Sequence, residues 1–211
     1  MSTSILHRQF PYRFSNITLK LIVINVVVFF LSSVNKDIIV YGSLVPALVL
    51  QKHYYWQFIS YMFIHGSITH LLFNMLGLFF FGSQVEKRIG SYEFLLFYLL
   101  TGFLAGLFSY AVYIWSGRYI VFLMGASGAI FAVLLAFAVF FPFARIFVFG
   151  ILPVQAPILV VIYTAIEVFS QFSGANSGVA HLTHLAGFGF AFLYILIRMQ
   201  INPIDVWRRT R

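Results

Sequence analysis

Long apolar runs, separated by short breaks that contain polar residues, glycine or proline, dominate this chain of 211 residues. A membrane-spanning helix needs about 20 mainly apolar residues, because the hydrocarbon core of a bilayer is about 30 Å thick. The pattern therefore predicts an all-α membrane protein, a bundle of six transmembrane helices. The predicted spans are Ile17–Ser33, His70–Gly82, Tyr92–Trp115, Ser127–Phe141, Ile146–Phe169 and His181–Arg198. The second is short unless the turns before it, from near His65, also lie at membrane depth.

Two segments depart from this simple pattern. Residues 35–69 mix apolar residues with Trp56 and several tyrosines, a composition typical of a segment that lies in the membrane interface with its rings at the headgroups. Pro153 and Pro157 fall inside the predicted fifth span. Proline removes a helical hydrogen bond and clashes with the preceding turn, so we expect a kinked or mobile fifth helix.

Composition and charge support the membrane prediction and add an orientation. Hydrophobic residues make up 62% of the chain and charged residues 9%, which lies far from the range of soluble domains. The net charge is +8, but the sequence has no basic stripe or motif that would indicate a nucleic-acid partner. Ten of the thirteen Lys and Arg residues fall on one side of the predicted bundle, so the positive-inside rule places both termini in the cytoplasm and residues 35–69 outside.

This topology divides the chain into three parts. We predict a cytoplasmic N-terminal segment over residues 1–16, a six-helix domain over residues 17–200 and a basic cytoplasmic tail over residues 201–211. The chain has no cysteine, which excludes disulfides, thiolate metal sites and a cysteine nucleophile. It also lacks an aspartate in any span, a His-Glu-x-x-His motif and a Gly-x-Ser-x-Gly motif. We therefore expect no metal and no cofactor, and no aspartate-pair or zinc protease.

Polar side chains inside spans are costly and are functional candidates by default. They are His70, Asn74, Ser127, Glu167, His181 and His184. Counting residues to the nearest cytoplasmic charge at about 1.5 Å each puts Ser127, His184, His70 and Asn74 at heights of roughly 27, 21, 24 and 18 Å. All four are thus expected in the outer half of the bilayer.

Ser127 and His184 are the candidate nucleophile and general base. Ser127 lies among small residues that begin with Gly125, and His184 is followed by a small surface that includes Gly187, so the two helices can approach closely. Such packing would bring the hydroxyl within about 2.6–3.2 Å of an imidazole nitrogen. Ser127 also begins its predicted helix, whose free N–H groups, with donors from His70 and Asn74, would bind an oxyanion.

The positions of the acidic residues suggest how the base is oriented. Asp37 lies in the external segment, Glu86 and Glu93 flank the turn after the second span, Asp205 lies in the tail and Glu167 lies near the outer end of the fifth span. We therefore predict a Ser-His dyad without a carboxylate third member. His181, one turn before His184, is expected to be a neighbouring or solvated histidine rather than a catalyst.

Three motifs resemble the signatures of the rhomboid proteases, in the same order along the chain. They are His70-x-x-x-Asn74, Gly125-Ala126-Ser127-Gly128 and the stretch from Ala180 to Gly187. The resemblance covers roughly Trp56 to Arg198. It implies a rhomboid-like bundle with Ser127 as nucleophile, His184 as base, and His70, Asn74 and the Ser127 N–H as the oxyanion site. It also implies that the external segment is membrane-embedded, and that the fifth helix and the loop Phe172–Val179 are the gate and cap.

Two positions depart from the family pattern. Phe131 stands where many bacterial relatives carry a tyrosine that packs on the catalytic imidazole, so the ring is kept and the hydroxyl is lost. Ala191 stands where a glycine is common in the sixth helix, which could loosen that helix contact. Neither change removes a catalytic group.

These observations predict an intramembrane serine endopeptidase that cleaves transmembrane or juxtamembrane segments of membrane proteins. Substrate would enter laterally past Pro153 and Pro157. The lipid bilayer would surround the protein. We expect a multi-pass protein of a prokaryotic plasma membrane whose site opens to the external face. Two alternatives remain: a catalytically silent relative that binds membrane clients, and a small transporter or metal-binding protein that uses His65, His70, His181 and His184.

Overall fold

The computed structural model describes residues 7–148, 150–172 and 178–209, and these form a helical bundle with one small β-ribbon. The elements of the first half are α1 (Ile17–Val34), α2 (Asp37–Gly42), α3 (Pro46–Lys52), α4 (Gln57–Ser60), a 3₁₀ turn (Tyr61–Phe63), α5 (Ile68–Gly77), a π-helical turn (Leu78–Gly82), α6 (Ser83–Ile89) and α7 (Ser91–Trp115). Those of the second half are α8 (Ser127–Phe140), β1 (Arg145–Val148), β2 (Leu152–Gln155), α9 (Ala156–Phe172), α10 (Gly178–Arg198) and α11 (Pro203–Arg208).

Within the described residues, four helical stretches are long and apolar enough to cross a membrane. They are Ile17–Val34, Ile68–Ile89, Ser91–Trp115 and His181–Arg198. The helices Ser127–Phe140 and Ala156–Gln171 are apolar but shorter. The mainly helical membrane fold is thus confirmed, while the number of six spans and the orientation of the termini stay predictions.

The second predicted span is wrong at both ends. Helix α5 begins at Ile68, where the Ser67 side chain accepts a hydrogen bond from the His70 N–H and so caps the helix. The helix then passes through the π-helical turn into α6 and ends at Ile89, which makes 22 residues. The stretch is therefore long enough to cross a membrane without the turns before it.

The predicted fifth helix is also wrong over its first ten residues, which precede α9. Strands β1 and β2 form an antiparallel ribbon in which Phe147 pairs with Pro153, and helix α9 begins only at Ala156. Each strand of a two-stranded ribbon has one edge that makes no ladder hydrogen bonds. Proline, which has no N–H to donate, is tolerated at such an edge, so Pro153 fits β2. Pro157 lies in the first turn of α9, where its N–H would have no helical acceptor. Neither proline kinks a helix.

Helix α8 is the centre of the bundle. Its residues from Ala132 to Val139 are all buried, and α7, α9 and α10 pack around it, with α6 and the π-helical turn on another side. A helix that is apolar on all faces suits such a central place in a membrane bundle. Ser127, the first residue of α8, is consequently held at the meeting point of the surrounding helices.

The segment of residues 35–69, which the sequence predicts to be external, is a folded part of the bundle. Tyr61 donates a hydrogen bond from its buried hydroxyl to the Gly102 carbonyl of α7 at 2.6 Å. Gln57 is buried and binds three backbone groups, the Val45 N–H and the carbonyls of Val40 and Tyr41. These contacts fix the segment that leads into α5, and therefore the position of His70.

Candidate active site

Ser127 and His184 meet at hydrogen-bonding distance. The Ser127 Oγ lies 2.8 Å from the His184 Nε2, within the range predicted from the small residues around them. Helix α8 begins at Ser127, as the sequence predicted. The first backbone N–H groups of a helix have no acceptor inside it and lie at the positive end of its dipole. The candidate nucleophile, the candidate base and hydrogen-bond donors therefore lie together.

The close approach of α8 and α10 depends on Gly187. A Cβ atom added at Gly187 would lie 2.1 Å from the Gly128 carbonyl oxygen, far inside van der Waals contact. One turn earlier on α10, the Thr183 hydroxyl is 2.6 Å from the Ser109 hydroxyl of α7. Backbone-to-backbone packing and this buried hydrogen bond hold His184 at its distance from Ser127.

Glu167 contacts His184, the candidate base, and this corrects the prediction that no carboxylate would do so. Its Oε1 lies 2.9 Å from the His184 Nδ1, and its Oε2 lies 2.5 Å from the His181 Nδ1. The Glu167 side chain is 8% exposed, and those of His181 and His184 are 20% and 18% exposed. The prediction failed because α9 packs against α10, which brings the outer end of α9 to the start of α10.

Phe131 stacks on the imidazole of His184. Its ring centroid is 4.2 Å from that of His184, with the two planes 11° apart. The same ring contacts Tyr163 of α9 and Phe188 of α10, at centroid distances of 5.8 and 5.0 Å. The aromatic packing expected at this position is therefore present without the hydroxyl.

His70 packs against the backbone just before Ser127. A Cβ added at Gly125 would lie 2.6 Å from the His70 Cε1 and Nε2, and the Gly125 φ of +117° is one that L-residues rarely adopt. Gly125 thus lets His70 approach the start of α8. Asn74 is buried, and its side-chain amide donates to the His70 carbonyl at 2.8 Å. An amide carries two N–H donors, so this bond uses only one of them.

His65 supports His70 from the external segment. The His65 side chain is 1% exposed, and its ring centroid lies 5.1 Å from that of His70 in an edge-to-face arrangement. Burial, with a smaller effect of the neighbouring His70, lowers the pKa of His65 to about 4. The neutral form is therefore the one that the fold favours.

The four histidines of the transporter alternative do not form one cluster. Among the described residues, the only group of three or more His and acidic side chains close enough to share a metal ion is Glu167, His181 and His184. His65 and His70 form a separate pair beside Gly125. This arrangement does not favour a path lined by all four.

The predicted gate and cap have different outcomes. Pro153 and Pro157 lie in β2 and at the start of α9 rather than at a helix kink beside Ser127. Most of the predicted cap loop, residues 173–177, lies outside the described residues. Two residues on α9, Tyr163 and Glu167, do reach the groups around His184.

Sequence reasoning gave no role to Glu167. The available signal was an acidic residue in an apolar helix, together with two histidines three positions apart on the next helix. The contact between Ser109 and Thr183 had no comparable signal, since small hydroxyl residues are common in membrane helices.

Comparison with known proteins agrees with this geometry. Residues 52–201 match the Rhomboid domain family. The chain is 30% identical over 156 residues to "RHOMBOID-like protein 4" of Arabidopsis thaliana, covering 74% of this chain and 37% of that protein. It is 32% identical over 142 residues to "Rhomboid protease AarA" of Providencia stuartii, covering 59% and 50%.

A third relative matches over much of both chains. It is "Putative rhomboid protease YdcA" of Bacillus subtilis, 28% identical over 147 residues, which is 69% of each chain. The chain spans about half or less of the length of the other two relatives. With its apolar helices, the matched domain makes this a multi-pass membrane protein. The chain belongs to the rhomboid family.

Proposed function

We propose that this protein is an intramembrane serine endopeptidase in which Ser127 is the nucleophile and His184 the general base. The observation that carries the proposal is the 2.8 Å separation of the Ser127 Oγ and the His184 Nε2 in a rhomboid domain. A serine hydroxyl is a weak nucleophile unless an adjacent base takes its proton. The names of two relatives, which call them a protease and a putative protease, add support.

The reaction is acyl transfer to serine followed by hydrolysis. The Ser127 oxygen bonds to the peptide carbonyl carbon while its proton passes to the His184 Nε2, and the carbonyl π electrons move to the oxygen. The C–N bond then breaks and His184 returns the proton to the leaving amine. A water molecule, deprotonated by His184, attacks the acyl-enzyme in the same way and releases the second product with Ser127 restored.

The oxyanion of this reaction needs donors close to Ser127. We assign this role to the Ser127 backbone N–H and to the side chains of His70 and Asn74. Support comes from the contact of His70 with Gly125 and from the helix start at Ser127. Each preorganised donor of this kind contributes roughly 10²- to 10³-fold to the rate of acyl transfer.

The substrates are transmembrane or juxtamembrane segments of other membrane proteins. In this proposal six helices span the membrane, with both termini in the cytoplasm and the site open to the external face of a plasma membrane. The external segment, residues 35–69, lies partly in the bilayer. The exposed Trp56 and Tyr55 at its surface support that location.

Substrate enters from the bilayer between α5 and α9. Both helices present large apolar side chains outward, such as Phe73 on α5 and Phe169 on α9. The packing of α9 against α8 and α10 leaves α9 at the side of the bundle. Crosslinking α9 to α5 is expected to stop cleavage of a membrane substrate while the labelling of Ser127 by a small fluorophosphonate persists; unimpaired cleavage would refute lateral entry.

One assay tests the proposed activity. The purified protein in detergent is mixed with a helical membrane substrate, and cleavage is compared among wild type, Ser127→Ala and His184→Ala. We expect cleavage by the wild type alone, and fluorophosphonate labelling that is lost with Ser127. If the wild type cuts none of several substrates, or if the Ser127→Ala protein cuts equally well, the proposed protease activity is refuted and the client-binding alternative is favoured.

A further inference from the structure

We propose that Glu167 is a positioning residue for His184, and that His181 in turn holds Glu167, so that the site works as a chain of four groups, Ser127, His184, Glu167 and His181. The inference rests on the proposed function. It goes beyond the Ser-His pair, because it assigns a carboxylate to the base and an anchor to that carboxylate.

The distances join the four groups without a gap. Ser127 Oγ is 2.8 Å from His184 Nε2, His184 Nδ1 is 2.9 Å from Glu167 Oε1, and Glu167 Oε2 is 2.5 Å from His181 Nδ1. The first two are ordinary hydrogen-bond lengths, and the third is shorter than an ordinary N–H···O bond. The two ring nitrogens of His184 thus contact the nucleophile at Nε2 and the carboxylate at Nδ1.

A carboxylate at Nδ1 selects the form of His184 that catalysis requires. An ionised carboxylate only accepts hydrogen bonds, so the Nδ1 of His184 carries the proton and donates it to Oε1. The Nε2 is then the unprotonated nitrogen, free to accept the proton of Ser127. When His184 becomes an imidazolium, the adjacent negative charge stabilises it, and the Nδ1 proton stays on the histidine.

His181 explains how the carboxylate keeps its place. Glu167 lies on an apolar helix and its side chain is 8% exposed, and a carboxylate in such surroundings is costly unless both oxygens are hydrogen-bonded. His184 binds one oxygen and His181 binds the other. Because His181 and His184 are one turn apart on α10, a single rigid element positions both contacts.

The same three residues raise the question of a metal ion, and the distances favour hydrogen bonds. Their ligand atoms lie within 4.8 Å of one another. Two ligands about 2.0–2.1 Å from a tetrahedral zinc ion are about 3.3 Å apart. The separations of 2.5 and 2.9 Å between the carboxylate oxygens and the imidazole nitrogens are shorter than that. Each pair is therefore joined by a hydrogen bond rather than by a metal ion.

The test compares Glu167→Gln with wild type and with a matched control on the same helix. Glutamine keeps the size of the side chain and removes the charge. We expect Glu167→Gln to lower kcat roughly 10- to 100-fold with KM changed less than about twofold, because the lost interaction acts on the base and not on substrate binding. The control is Thr164→Val, one turn away, whose hydroxyl bonds the Val160 carbonyl of its own helix; its kcat should equal that of wild type.

Two further measurements make the result specific. His181→Gln should lower kcat less than Glu167→Gln does, by roughly three- to tenfold, since the charge remains and only its anchor weakens. In a proton spectrum of histidine-labelled protein, the Nδ1 proton of His184 should give a far-downfield resonance that Ser127→Ala retains and Glu167→Gln loses. This signal does not depend on turnover.

The outcomes separate this inference from the proposed function. Equal kcat for wild type and Glu167→Gln, with fluorophosphonate labelling intact in both, would refute the positioning role and leave the serine protease standing. If the wild type neither cleaves substrate nor reacts with the fluorophosphonate, both the proposed protease activity and the positioning role of Glu167 are refuted. If a chelator abolished wild-type cleavage and Zn²⁺ restored it, the three residues would be a metal site and the hydrogen-bonded chain would be wrong.

Discussion

Replacing Gly187 by alanine should separate the nucleophile from the base. The added Cβ would lie 2.1 Å from the Gly128 carbonyl oxygen, whereas an ordinary contact between these atom types is about 3.3 Å. Helices α8 and α10 must therefore move apart by roughly 1.2 Å at this point. His184 is one turn from Gly187, so much of the displacement reaches the 2.8 Å hydrogen bond between Ser127 and His184.

The size of the effect follows from that displacement. A misplacement of about 1 Å between reacting groups can cost roughly 100-fold in rate, and an overpacked helix contact costs about 1–3 kcal/mol of stability. We expect Gly187→Ala to lower kcat about 100-fold and to lower the unfolding temperature. Cleavage of a membrane substrate and thermal unfolding in the same detergent measure the two effects.

Gly189→Ala is the matched control, because a Cβ at Gly189 would meet nothing within 4 Å. It makes the same chemical change two residues along α10. We expect its activity and unfolding temperature to equal or exceed those of wild type, since alanine favours a helix. Equal activity of Gly187→Ala and Gly189→Ala would refute the reasoning, since the close contact would then have no catalytic consequence.

Three more predictions follow from the site. Gly125→Ala should lower both cleavage and unfolding temperature, by about 1–3 kcal/mol in stability, because a Cβ would collide with His70 and the φ of +117° is strained; normal values of both would refute this. Phe131→Leu should lower kcat roughly two- to tenfold through loss of the stacked ring on His184, and Phe131→Tyr should retain activity. Between pH 6.5 and about 4, the free energy of unfolding should fall by at most about 1.4 kcal/mol per pH unit, because His65 binds a proton in the unfolded state but stays neutral in the folded protein. In denaturant titrations His65→Gln should flatten this dependence on pH. An equal slope in both proteins would contradict the prediction.

The central parts of the fold could be read from the sequence because they depend on local pattern. The bounds of α1 and α7 differ from the predicted spans by one residue at most, since apolar length and flanking polar residues define a buried helix. Ser127 and His184 were identified because small residues around both predict close helix packing. The start of α8 at Ser127 followed from the adjacent glycines.

The sequence predictions are wrong where one residue pattern fits both a helix and a strand, or where a contact joins residues far apart in the sequence. The apolar run from Ile146 to Gln155 suits either a helix or a strand, and only pairing decides that it is a ribbon. The height of a residue along its own helix does not say which neighbour it faces. Glu167 was therefore judged too far out, although the packing of α9 on α10 brings it to His184.

The position of Glu167 on α9 ties substrate entry to chemistry. The helix that lies beside the proposed entry also carries the carboxylate at His184 and, one turn away, the Tyr163 ring against Phe131. In the proposed lateral entry, an outward movement of α9 would break these contacts and its return would restore them. Admission of substrate and bond cleavage would then exclude one another, and each turnover would need α9 to close again.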